Sequence, residues 1–277
     1  RASIARSTEL LRSVGLTDAA ALLRLYPHEL SGGMRQRVLI AMSLAASPKM
    51  LIADEPTTAL DATVQINVLD TLRRLNRESH LALLLITHDL SIVAELCNRV
   101  YVMHQGLVVE EADIIELFEA PKSGYTAGLI SAARYLRARR QRADPGSTVA
   151  AASSPRVPVL SADRVSRVFR RRSRSGWRRQ TVDAVSDISL DVFDGETLAI
   201  VGESGSGKST MARMLLGLTP PSRGCIRYRG RDLAPLSSAE RLAFRKDVQP
   251  VFQDPGASLN PRLQVMASLA NVLARHG

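Results

Sequence analysis

Gly202-Glu203-Ser204-Gly205-Ser206-Gly207-Lys208-Ser209-Thr210 is the stretch that decides how this chain is read. It fills every required position of the pattern Gly-x-x-x-x-Gly-Lys-Ser/Thr. Glycines let successive backbone N–H groups turn inward around phosphate oxygens, and the N-terminus of a following helix adds partial positive charge. Lys208 is expected to reach the β- and γ-phosphates of a nucleotide, and the Ser209 hydroxyl to ligate Mg2+. Thr197–Val201 reads as a buried strand just before the loop, and a helix is expected to begin near Lys208. Gly202, Ser204, Gly205, Gly207, Lys208, Ser209 and Thr210 are therefore the candidate nucleotide-binding residues of this segment.

Working upstream, Met50–Glu55 reads as a short apolar strand that ends in two acids. Asp54 is placed to hold Mg2+ through water and Glu55 to polarise an attacking water as general base. Strand-end acids are often plain caps, so this pair gains its meaning from its neighbours.

Those neighbours carry a family resemblance. Leu30-Ser31-Gly32-Gly33-Met34, followed by Arg35-Gln36-Arg37, resembles the signature of ATP-binding cassette proteins. Asp54-Glu55-Pro56-Thr57 and Ala59-Leu60-Asp61 resemble the family's second acidic motif and its D-loop. Thr87-His88-Asp89 resembles the switch-histidine motif, and Val251-Phe252-Gln253-Asp254-Pro255 the Q-loop. A narrower resemblance is to the dipeptide, oligopeptide and nickel importer subgroup. It rests on Tyr26-Pro27-His28-Glu29, Ser258-Leu259-Asn260-Pro261 and Pro121-Lys122-Ser123-Gly124-Tyr125-Thr126, where Ser-Gly stands in place of the subgroup's His-Pro.

The resemblance implies that two cassettes sandwich two ATP molecules, each site joining the phosphate loop of one cassette to the signature of the other. Ser31, Gly32 and Gly33, with Asp61 of the D-loop, then belong to the nucleotide-binding set. His88 is expected to contact the γ-phosphate, and Gln253 to sense Mg2+ and link to the membrane subunits. Phe169 and Trp177 are both candidates for the aromatic that stacks on adenine.

The motif order is the reverse of a single cassette: signature and acidic pair first, phosphate loop last. The chain thus looks like the C-terminal part of one cassette (residues 1–142), a linker (143–157), and the N-terminal part of a second (158–277). It opens on Arg1 rather than Met, which reads as a piece of a longer protein. The two parts together hold close to one cassette in permuted order. Strands that belong in one sheet leave an unpaired edge when separated, which favours pairing within the chain or between copies. The linker is rich in Ala, Ser, Pro and Gly and has an r.m.s. reach of roughly 20–25 Å as a flexible coil.

Secondary structure follows from periodicity. Ser31 is a plausible N-cap for a helix through Met34–Ala46, Thr63–Glu78 has a helical apolar face, and Leu81–Ile86 is a strand apolar on both alternations. Asp89–Cys97, Ile114–Phe118, Thr126–Arg140 and Val265–Arg275 read as helical. Val100–Met103 and Leu107–Val109 bracket a turn at Gln105-Gly106. Val159–Val165, Ile188–Phe193 and Val248–Phe252 read as strands, Arg170–Arg179 as a loop, and Cys225–Tyr228 as part of a small antiparallel hairpin. The expected class is α/β: a mostly parallel sheet of the phosphate-loop NTPase type flanked by helices, a small antiparallel β element and a partial helical subdomain.

Composition narrows the function. At 277 residues and 45% hydrophobic, the chain has material for real cores. The net charge of +10 concentrates at Arg134–Arg142 and Arg167–Arg179, without the aromatic ladder or motif of a nucleic-acid site. Cys97 and Cys225 lack metal-ligand spacing and read as small core residues of a reducing compartment. No apolar run approaches the ~18 residues of a membrane span, and no secretory signal opens the chain.

The expected function is the ATP-hydrolysing subunit of a peptide- or nickel-type importer. It would lie peripherally on the cytoplasmic face of the plasma membrane. Its partners would be transmembrane permease subunits, a second cassette and, indirectly, a solute-binding protein, but not nucleic acid. The alternatives are a soluble tandem ATPase acting on ribosomes or DNA, and a fragment that binds nucleotide but turns it over poorly.

Overall fold

The computed structural model describes residues 2–57, 62–138, 157–172, 179–203 and 205–276. The first helices, α1 (Ala2–Ser13) and α2 (Ala19–Leu22), lead to α3 (Gly32–Ala45), β1 (Met50–Asp54), α4 (Ala62–Ser79) and β2 (Ala82–Thr87). Then come α5 (Leu90–Leu96), the hairpin β3 (Arg99–His104) and β4 (Leu107–Asp113), α6 (Ile114–Glu119) and α7 (Gly124–Ala138). The chain resumes with β5 (Leu160–Arg172), β6 (Arg179–Val192), β7 (Thr197–Val201), α8 (Lys208–Leu215), β8 (Arg223–Tyr228) and β9 (Arg231–Asp232). It finishes with α9 (Ser238–Asp247), β10 (Val248–Val251), α10 (Pro255–Ser258) and α11 (Val265–His276). The fold is mixed α/β, a mostly parallel sheet flanked by helices and a separate antiparallel sheet. Two compact units make it up, Arg1–Leu84 with Leu236–Gly277, and Leu85–Pro235. The expected linker, apart from exposed Val157 at its end, lies outside the described residues.

In the first unit the strand order is β10–β1–β2. β1 is apolar at every position but its last, so no face of it tolerates water. It pairs in parallel with β10, from Met50↔Val248 to Ala53↔Val251. The ladder continues where Lys49 N–H donates to Asp247 O at 2.8 Å and Ala82 N–H to Lys49 O at 3.0 Å. Strands from either side of residues 143–157 therefore pair. The helices do the same: α11 opens with Val265 N–H donating to Leu25 O (2.9 Å) and Met266 N–H to Leu23 O (3.0 Å). α11 packs with α1 and α3, with Leu10, Leu11, Ile40 and Leu269 buried. Full burial of each such side chain contributes about 1.5–3 kcal/mol.

In the second unit β3 again pairs with a strand from beyond residues 143–157. It runs parallel to β7, from Arg99↔Leu198 to Val102↔Val201, and antiparallel to β4. The antiparallel sheet has the order β6–β5–β8–β9. One cation organises the lower end of β3. Arg99 Nε donates to Glu196 Oε1 at 2.8 Å and Nη1 to Glu111 Oε1 at 2.9 Å, and Nη2 donates to Asp191 O. Its guanidinium also lies over the rings of Tyr101 and Phe193, 5.5 Å from each centroid. Glu110 of β4 is 6% exposed and accepts from Lys122 N–H (2.8 Å) and Ser123 N–H (2.9 Å), which hangs the start of α7 on the sheet. Burial alone would raise this carboxyl, but Lys122 N–H, the Thr126 side chain, Ser123 N–H and the Lys122 charge together outweigh it and hold the group below its ordinary range.

Two expectations need correction. Arg170–Arg179 is not simply a loop: β5 continues to Arg172 and β6 begins at Arg179, with those two residues paired. An antiparallel ribbon draws its ladder from backbone alone, and cross-strand pairs such as Phe169↔Val182 supply the β-forming contacts that the arginines lack. Cys225 is half-buried on β8 rather than a core residue, whereas Cys97 is buried and its thiol is pushed up by desolvation.

Two outcomes follow from the charged anchors. Arg99→Met leaves Glu196, which is mostly buried, without its cation, and is expected to lower stability by about 2 kcal/mol, read from the urea midpoint at unchanged slope. Because the folded Glu110 carboxyl titrates below its unfolded value, its stabilisation is present at neutral pH and is lost as pH falls through the folded pKa. Glu110→Gln should therefore lose less thermal stability than the parent chain between about pH 5 and pH 3.

Candidate functional site

Each unit carries its own set of site residues. In the first, the parallel register of β1 on β10 sets the geometry. Ala53 lies opposite Val251, so two residues further on Glu55 comes beside Gln253. Gln253 Nε2 donates to Glu55 Oε2 at 3.2 Å. Glu55 has φ 47°, a left-handed backbone that is costly for a residue with a Cβ and is characteristic of functional turns. Asp54 and Glu55 are both half-buried, and Gln253 is exposed. A side-chain amide donor thus meets a carboxylate at the end of an apolar strand.

The Leu30–Arg37 segment lies in the same unit. Ser31 is the N-cap of α3, its Oγ accepting from Met34 N–H at 3.3 Å. Gly33 is buried, and a Cβ built on it would fall 2.0 Å from Val64 Cγ1. The second signature glycine is thus required for the close approach of α3 to α4, and Gly32 begins the helix beside it. Asp61 lies outside the described residues.

In the second unit β7 leads into the Gly202–Thr210 loop, the expected phosphate loop, and α8 follows it. Lys208 is 5% exposed, and its Nζ donates to Gly202 O and Glu203 O, each at 2.9 Å. A buried ammonium needs such partners, since desolvating it unpaired is prohibitive. Gly207 has φ 102°, and a Cβ there would fall 2.2 Å from Ala184 O, so no other residue fits. Ser206 Oγ is buried and without a hydrogen-bond partner among the described residues. Buried lysine, a donor-capable hydroxyl with nothing to bind and a glycine-closed turn are what a phosphate group would satisfy. Ser209 and Thr210 lie half-buried in the first turn of α8, and Gly205 is exposed. Ser204 lies outside the described residues.

His88 is exposed at the junction of β2 and α5. The residues around it form the turn: Asp89 N–H donates to Thr87 Oγ1 at 3.0 Å, and Asp89 Oδ1 caps α5 by accepting from Ser91 N–H at 2.8 Å. Phe169 is 39% exposed on β5, with the Arg167 guanidinium 4.9 Å from its centroid, and Trp177 lies outside the described residues.

The motifs did not point to the residues that hold the loop from outside. Gly106 N–H donates to Ser206 O (2.9 Å), and Gly106 O accepts from Ser186 N–H (2.8 Å). Tyr125 Oη accepts from Glu203 N–H at 3.3 Å. Gln105-Gly106 carried only a turn signal, and Tyr125 only its place in the Pro121–Thr126 segment.

Comparison with known proteins agrees with this chemistry. A family model described as ABC transporter matches residues 2–58 and 185–274. The glutathione import ATP-binding protein of Pectobacterium atrosepticum is 42% identical over 297 aligned positions, covering 100% of this chain and 47% of that protein. Proteins of the same name from Salmonella choleraesuis and Escherichia coli O6:H1 are each 40% identical, covering 99% of this chain and 47% of their own length. The chain spans about half the length of these relatives. With a family model matched over residues 2–58 and 185–274 and a relative 42% identical along the whole chain, the chain belongs to the ABC transporter family.

Proposed function

We propose that the chain supplies nucleotide-handling parts of an ATP-hydrolysing importer subunit for peptide-type solutes. The observation that carries this is the 42% identity, along the whole chain, to a glutathione import ATP-binding protein. Glutathione is itself a small peptide, so the relatives' solute and the subgroup resemblance agree. The same names favour import over action on ribosomes or DNA. The proposed partners are transmembrane permease subunits, a second cassette and a solute-binding protein that reaches the assembly through the permease. The proposed place is the cytoplasmic face of the plasma membrane. Among the described residues no helix is long and apolar enough to cross a membrane, which agrees with a peripheral role. In this reading residues 1–142 are the C-terminal part of one cassette, 143–157 the linker, and 158–277 the N-terminal part of a second.

The residue roles are assigned on the same basis. Amides of Gly202, Ser204, Gly205, Gly207, Lys208, Ser209 and Thr210 surround the phosphates. Lys208 exchanges its two backbone carbonyls for phosphate oxygens, a substitution that keeps its buried charge compensated. Ser209 in the second unit, and Asp54 through water with the Gln253 amide in the first, are each assigned a part in holding Mg2+, which would neutralise phosphate charge when bound. Glu55 orients and polarises the attacking water, and its contact with Gln253 ties the base to the element that senses the metal. His88 addresses the γ-phosphate. Ser31, Gly32 and Gly33, with Asp61, serve the nucleotide held by the opposing cassette.

Two substitutions test these roles. Lys208→Ala should weaken MgATP binding about a hundredfold, the scale of two charge-assisted hydrogen bonds, in a fluorescent-nucleotide titration. Glu55→Gln should leave that affinity within about twofold while phosphate release falls at least about a hundredfold. Turnover unchanged by Glu55→Gln would show that Glu55 is not the base.

A further inference from the structure

The Pro121–Thr126 segment has no part in the chemistry described so far, yet its structure leads to the phosphate loop. The buried carboxylate of Glu110 grips the N–H groups of Lys122 and Ser123, which fixes the point where α7 begins. Tyr125 lies in the first turn of α7, half-buried. Its ring packs on His104 with centroids 4.1 Å apart and planes tilted by 35°. The ring is therefore held on one side by the last residue of β3, and the hydroxyl is carried to Glu203 N–H.

That N–H belongs to the peptide unit whose carbonyl is Gly202 O. In a trans peptide the N–H and C=O point to opposite edges of one plane. Tyr125 accepts from one edge, and Lys208 Nζ donates to the other at 2.9 Å. The orientation of this peptide thus decides where the Lys208 ammonium sits. The loop is held a second time at Ser206 O by Gly106 N–H, from the turn that directly follows His104. The β3–β4 hairpin and the segment hung on it accordingly brace the loop at both Glu203 and Ser206.

We propose that Tyr125 is a positioning residue for nucleotide binding: its hydroxyl sets the Gly202–Glu203 peptide plane and, through it, preorganises Lys208 for the phosphates. Glu110 is the anchor that delivers Tyr125. The proposal rests on the reading of Gly202–Thr210 as a nucleotide phosphate site. Tyr125 touches no nucleotide in this scheme and acts through the loop backbone.

The test is a titration of the full chain with a fluorescent MgATP analogue and with Mg-tripolyphosphate. The variants are Tyr125→Phe, Glu110→Gln, the double variant and Lys208→Ala. Tyr125→Phe keeps the ring on His104 but removes the acceptor. It should raise Kd about fivefold for both probes, the scale of one neutral hydrogen bond, with the melting temperature of the nucleotide-free chain unchanged. The Glu203 amide resonance should move in the nucleotide-free Tyr125→Phe chain. Glu110→Gln should raise Kd in the same direction, and the double variant no further than the larger single, because both act through one contact. If Tyr125→Phe lowers the melting temperature, the Kd values are compared at a temperature where both chains are fully folded. Loss of binding in Lys208→Ala together with parental Kd values in Tyr125→Phe and Glu110→Gln overturns the positioning role alone. Parental binding in Lys208→Ala overturns the phosphate-site reading on which it stands.

Discussion

A strand that is apolar on both faces has no acceptable edge: its N–H and C=O groups must pair, and its side chains must be covered on two sides. β1 and β7 are strands of this kind, each within a few residues of a candidate site. β1 pairs with β10, and β7 with β3, and in both cases the partner comes from the other side of residues 143–157. The Glu55–Gln253 pair inherits its place from the first of these ladders. Glu55 meets Gln253 because Ala53 is in register with Val251, and a one-residue slip would send the two side chains to opposite faces.

The Gly202–Thr210 loop illustrates a second form of the same economy. Its glycines and lysine are local sequence, but its shape is held by backbone groups of other elements. Ala184 O closes against Gly207, Gly106 N–H meets Ser206 O, and Tyr125 Oη meets Glu203 N–H. Lys208 is buried with its charge on two carbonyls, an arrangement that is satisfied yet exchangeable, because a phosphate oxygen is the stronger acceptor.

How much of this was legible beforehand varies with the range of the interaction. Ser31 capping α3 through Met34 N–H is a three-residue event and was readable as such. So were the buried strands at 82–87 and 197–201, where composition leaves no alternative. The arginine-rich stretch misled because charge runs suggest solvated loops, whereas a ribbon ladder is indifferent to side chains; Arg172 pairs with Arg179 all the same. Cys225 looked like core from its apolar neighbours in sequence, but β8 leaves it half-exposed. Tyr125 carried no chemical signal, since its hydroxyl gains significance only from an amide 78 residues away.

Local chemistry, then, determined the motifs, the helix cap, the buried strands and the α/β class, because each depends on residues a few positions apart. Tertiary structure alone decided that strands on either side of residues 143–157 pair, that Gln253 faces Glu55, and that Glu110, His104 and Tyr125 brace the loop holding Lys208. The reason is physical: register, close approach and the orientation of a single peptide plane are properties of chain segments brought together, and no spacing within one segment encodes them.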